Sequence, residues 1–154
     1  MQTKINGATL TNIGRKRTKN EDAAYFNSCE DFTLLMIADG IGGHKKGEVA
    51  SDMTISIVSN KISNFEKAFK LTTSRRLIKN AIKYANKEVN NLSVKQEYLD
   101  MGTTLVLALV LKEKTIIANI GDSRLYRFDK EFGLTQLTVD QNWKNDKRRS
   151  KKFQ

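Results

Sequence analysis

Apolar residues fall in short runs at both ends of the chain and at helical spacing in the middle. Residues 24–26 and 32–38 read as strands, joined by the turn-like stretch 27–31. The second run is continuously apolar, as a strand buried on both faces would be. It stops at Ala38, so Asp39 is expected to close the strand and the glycine-rich Gly40-Ile41-Gly42-Gly43-His44 to begin a turn at once. Residues 47–62 then carry Val49, Ala50, Met53, Ile57 and Val58 at helical spacing. A second helix shows one apolar stripe of Leu77, Ile78, Ala81, Ile82, Ala85, Val89 and Leu92, with Thr73 or Ser74 as its expected cap. That stripe is core packing. The period then changes, and segments 103–111, 115–120, 125–128 and 134–138 read as strands with short links. Links of that length favour antiparallel neighbours over crossovers. Strands, two helices and a meander together predict an α+β fold, with helices packed on an antiparallel sheet.

Composition narrows the function classes. The chain has 154 residues, 39% hydrophobic and 29% charged, which suits one soluble domain with a sizeable core. Its net charge of +10 invites a nucleic-acid reading. Much of the excess lies in Lys147, Arg148, Arg149, Lys151 and Lys152, and no basic strand is interleaved with aromatics. The favoured reading is a solvated basic tail over 144–154 behind a domain over 1–143, with no nucleic-acid partner. The single cysteine, Cys29, excludes an internal disulfide and a zinc cluster. That usage fits a cytoplasmic location. The N-terminus has no apolar signal core, and the run 105–111 is far short of the ~20 residues a membrane helix needs, so no membrane partner is expected.

Three acidic motifs carry the candidate chemistry. Glu21 and Asp22 precede one strand, Asp39 ends the next, and Asp122 sits in what reads as a tight hairpin. Each alone is ordinary turn or surface chemistry. If the strand ends converge, the carboxylates repel unless they are protonated or bridged by cations. Oxygen donors suit magnesium or manganese, and Gly40 exposes a backbone carbonyl. A pair of such ions can lower the pKa of a bridging water toward ~7 and set it against phosphorus. Arg17 offers a planar fork that holds a phosphate by paired hydrogen bonds. His44 is the only histidine; with no visible partner to orient its ring, it is read as exposed and not catalytic.

With these residues in order, the sequence resembles the bacterial form of the metal-dependent protein phosphatase family, type 2C. The matching blocks are Gly14-Arg15-Lys16-Arg17-Thr18-Lys19-Asn20-Glu21-Asp22; Ile37-Ala38-Asp39-Gly40-Ile41-Gly42-Gly43-His44 with Gly47-Glu48-Val49-Ala50-Ser51; Met101-Gly102-Thr103-Thr104-Leu105; Ala118-Asn119-Ile120-Gly121-Asp122-Ser123-Arg124-Leu125-Tyr126; and Gln136-Leu137-Thr138-Val139-Asp140. The resemblance implies an antiparallel β-sandwich flanked by helical pairs. It also implies hydrolysis of phosphoserine and phosphothreonine on proteins, with manganese or magnesium and an opposing serine/threonine kinase. Asp39 matches the ligand that bridges two ions, and Gly40 the backbone-carbonyl ligand. Glu21 and Asp22 match acids that organise metal-bound waters, Arg17 the phosphate-binding arginine, and Asp122 a ligand of a third ion. Thr103 and Thr104 are read as strand packing.

The family's domain continues past the last matching block and carries two more metal-binding aspartates there. The histidine that usually follows the Asp140 position is Gln141. The expectation is therefore a fold incomplete at its C-terminus and an activity that is doubtful for this chain alone. The alternative is a pseudophosphatase that binds phosphoproteins without turnover.

Overall fold

The computed structural model describes residues 5–41, 46–65 and 69–141. His44 and the basic tail over 144–154 lie outside the described residues. The chain opens with β1 (Asp22–Ser28) and β2 (Thr33–Ile41), followed by the helices α1 (Gly47–Ser63) and α2 (Leu71–Ser93). It continues through the short β3 (Gly102–Thr103), then β4 (Leu105–Val110), β5 (Thr115–Ile120), β6 (Tyr126–Asp129) and β7 (Gly133–Gln136). The main sheet runs β1-β2-β4-β5, with β3 pairing β2 at its end. Every pairing is antiparallel. This is the expected α+β architecture: antiparallel sheets and one helical pair among the described residues.

Both helices pack on one face of the sheet. Leu34, Met36 and Ala38 of β2 meet Leu105, Leu107 and Leu109 of β4, and α1 and α2 cover them with Ile55, Val58, Ile62, Ile78, Ala81 and Ala85. Burying a leucine fully contributes about 1.5–3 kcal/mol, so Leu34, Leu107 and Leu109 anchor the core. The stripe on α2 is core packing as its period predicts, with Ile78, Ala81, Ala85 and Val89 buried.

Several expectations are corrected. β2 is not buried on both faces: Leu35 and Ile37 are 37% and 49% exposed, because helices cover only the other side. Nor does β2 end at Asp39. It continues through Gly40 and Ile41, which find a partner strand in Thr103 and Gly102. The predicted strand 103–111 is interrupted at Thr104, whose N–H donates to the Asp39 carbonyl at 2.9 Å. The α2 cap is Lys70 in an extended conformation, and helix begins at Leu71. Thr73 and Ser74 fall inside the helix, where the Ser74 hydroxyl is buried without a hydrogen-bond partner. Finally, β5 and β6 do not form a hairpin. Gly121, at φ 97°, turns the chain away into a separate two-stranded sheet, β6–β7. An L-residue rarely adopts that φ.

Candidate metal-binding active site

The strand register places the acids. Asp22 and Asp39 are direct partners across β1 and β2. Like charges directly opposite each other repel. The Asp39 carboxyl is accordingly held above its ordinary value, first by partial burial, then by Asp22, with further contributions from Asp122 and Glu21. Four acids from three separate stretches of the sequence thus act on one end of the sheet. Asp122 stands close enough to be felt even though its turn is not the hairpin its sequence suggested.

The backbone around Asp39 is fixed on both sides. Its N–H donates to Thr104 Oγ1 at 3.0 Å, and its carbonyl accepts from Thr103 Oγ1 at 3.0 Å. Thr104 Oγ1 also shares a 2.6 Å hydrogen bond with Ser123 Oγ, beside Asp122. One hydroxyl therefore ties the strand of Asp39 to the turn of Asp122. In the sequence both threonines read as strand packing, because their hydroxyls reach partners 19 to 65 positions away.

Glu21 is anchored through its peptide. Its carbonyl accepts from the Gly40 N–H at 3.0 Å and from Ser51 Oγ at 2.7 Å. Gly40 is required by close approach: a Cβ there would collide with the Gly47 carbonyl and lie 2.6 Å from the Glu21 carbonyl oxygen. Gly47 opens α1, so the helix start, the end of β2 and the residue before β1 meet backbone to backbone. Ser51 and Glu48 were not singled out in the sequence. Glu48 Oε1 accepts from Lys19 Nζ at 3.1 Å and ties the loop before β1 to α1. Its carboxyl is held below its ordinary value, first by its own backbone N–H, which outweighs the opposing effect of burial, with Lys19 and Lys46 adding to the lowering.

Arg17 lies on that loop, exposed. Among the described residues it has no hydrogen bond or ion pair, so its fork remains available to a ligand. On the far side, Gln141 brackets the Gly121 turn. Its N–H donates to the Gly121 carbonyl at 2.9 Å and its Oε1 accepts from the Gly121 N–H at 3.1 Å. Arg124 grips Asp140 through Nε at 2.9 Å and Nη2 at 2.6 Å.

All the donors around Asp39 are oxygens, the set that hard divalent cations select, and a dication there offsets the mutual repulsion of the acids. No three of the described acids, however, stand grouped as a ready-made ion cage. The donor chemistry is of the kind a hard divalent cation takes.

A family model described as Protein phosphatase 2C matches residues 13–145. The serine/threonine phosphatase stp of Listeria monocytogenes is 36% identical over 135 residues, which is 84% of this chain and 52% of that protein. The crystal structure of Stp1 from Staphylococcus aureus superposes with a TM-score of 0.77 at 35% identity, covering 85% of this chain and 52% of that one. The catalytic domain of PstP, solved in complex with 2 manganese ions, superposes with a TM-score of 0.73 at 30% identity, covering 87% and 55%. The chain spans about half the length of the curated relatives it matches.

Proposed function

The chain belongs to the protein phosphatase 2C family, and on that premise we propose that it serves metal-dependent hydrolysis of phosphoserine and phosphothreonine on proteins. The observation that carries this reading is the register of β1 and β2, which sets Asp22 directly opposite Asp39, next to Gly40, whose N–H donates to the Glu21 carbonyl. Asp39 would hold two ions, with the Gly40 carbonyl as a further ligand. Glu21 and Asp22 would act through bound waters, and Asp122 would serve a third ion. Manganese or magnesium, when bound, supplies positive charge and an activated water for attack on phosphorus.

The chain's own residues do the positioning. Arg17 holds the phosphate by its fork. Thr103 and Thr104 fix the Asp39 peptide from both sides. The Gly40–Gly47 contact sets the distance between β2 and α1. The substrates are phosphorylated proteins, opposed by a serine/threonine kinase in the cytoplasm. No helix among the described residues is long and apolar enough to cross a membrane.

One observation favours a second reading. The described acids alone do not make an ion cage, which suits a pseudophosphatase that binds phosphoproteins without turnover. Hydrolysis of a phosphothreonine peptide, with and without manganese, separates the two. The phosphatase reading expects manganese-dependent turnover that disappears in Asp39→Asn. Binding of the phosphopeptide without turnover selects the second reading, and absence of both contradicts each.

A further inference from the structure

Away from the acidic cluster, α2 carries Arg75, Arg76, Lys79, Lys83 and Lys87 against a single acid, Glu88. Arg75, Lys79 and Lys83 are spaced four apart and share one helix face. Among the described residues none of the three has an ion-pair partner. That face overhangs β5, the edge strand of the main sheet. Between helix and strand lies an open groove of about 460 Å³, with the three cations on one wall and β5 on the other. Ile82 and Ile120 connect it to a smaller depression that reaches Gly102 and Thr103, the residues paired with Ile41 and Gly40 beside the site. Next to Ile120 the β5 edge is already engaged, since Gln141 Nε2 donates to the Asn119 carbonyl at 3.0 Å and Asn119 Nδ2 donates to the Val139 carbonyl at 3.3 Å; the stretch left for an added strand is Thr115–Ala118.

We infer that this groove docks an extended acidic segment of the phosphoprotein substrate, which pairs with the β5 edge while its carboxylates meet Arg75, Lys79 and Lys83. An unpaired edge supplies main-chain hydrogen bonds to an added strand. The cation row selects the sign of its side chains on the helix face, and Ile117, on the other face of β5, meets the alternate apolar ones. The inference rests on the phosphatase reading for the identity of its ligand. Its test needs neither turnover nor metal.

The probe is a fluorescent, unphosphorylated peptide of alternating glutamate and valine, followed by anisotropy with the full chain. Saturable binding is expected, weakened at least tenfold by the triple variant Arg75→Glu, Lys79→Glu, Lys83→Glu. N-methylation of alternate peptide nitrogens should weaken it as much, because it removes the donors that strand pairing needs, and that arm keeps the test valid if the triple variant misfolds. Asp39→Asn should bind like wild type. Loss of turnover in Asp39→Asn with peptide binding intact separates this inference from the phosphatase reading. Equal binding of the N-methylated peptide, equal binding of a single-stranded oligonucleotide of the same charge, or no saturable binding overturns it.

Discussion

The two faces of the main sheet are made from the same strands and have opposite fates. On β2, Leu34, Met36 and Ala38 are packed beneath α1 and α2, while Leu35 and Ile37 stand on the other side and remain open to solvent. Both sets are apolar, so composition does not distinguish them. The difference comes from what is laid against each face. Phe26 of β1 and Ala108 of β4 share that side with Leu35 by register, though Ala108 is buried and Phe26 is half-buried beside Gly7. The separate β6–β7 hairpin likewise exposes Phe128 and Leu134. Apolar surface of this extent is a place where more protein packs. The solved relatives extend to nearly twice the matched length. One face of the sheet therefore holds the described core together, and the other leaves Leu35 and Ile37 exposed.

Substitutions sharpen this contrast. Leu107→Ala, on the helix side and fully buried, should cost about 2–5 kcal/mol in urea unfolding. Ile37→Ala, on the open side, should cost less than about 1 kcal/mol, as exposed substitutions usually do. Equal costs would contradict the one-sided core. Next in size is Gly40→Ala, where overpacking against the Gly47 and Glu21 backbones should cost about 1–3 kcal/mol and reduce any metal response along with stability.

Thr104→Val keeps the volume and removes the hydroxyl that serves Asp39 and Ser123. A buried donor left without a partner costs about 1–3 kcal/mol, and Thr104→Ser should restore most of the loss in the same unfolding measurement. If Val and Ser behave alike, the hydroxyl does not couple the two acidic turns.

The smallest effects are electrostatic. The Asp39 carboxyl is raised in the fold, so its ionisation opposes folding as pH rises through its folded value. Without metal, Asp39→Asn should raise Tm at neutral pH by at most a few degrees, since partly exposed charges are worth about 1 kcal/mol or less. Asp140 has the opposite sign. Arg124 holds its carboxyl below the ordinary 3.8, so its contribution is present above that value and is lost as pH falls through the folded one. Arg124→Ala should flatten the acid limb of a Tm-against-pH curve below about pH 4, while an unchanged limb would show that the pair is inert.

Much of this was legible in the sequence where the signal is local. The helical stripe of α2, the strands β1, β2, β4 and β5 and the placing of acids beside glycines all follow from spacing and residue type. What was missed depends on partners distant in the chain. The extension of β2 through Gly40 and Ile41 requires Gly102 and Thr103 across the sheet. The role of Thr104 requires both Asp39 and Ser123. An apolar run such as 34–38 reads the same whether helices cover one face or both, so the open face was invisible. The turn at Gly121 looked like hairpin chemistry because a glycine permits either path, and Gln141 with Thr104 selects the one taken.

The central claim is that the acids around Asp39 form a divalent-cation site. Thermal unfolding of the chain with increasing manganese, beside Asp39→Asn, tests it most directly. At ten times Kd, binding to the folded state alone contributes about 1.4 kcal/mol, which for a domain of this size is a Tm rise of roughly 3–6 °C. Such a saturable rise is expected in the wild type, and none in Asp39→Asn. A wild type unmoved by manganese, or a variant that shifts equally, would contradict it.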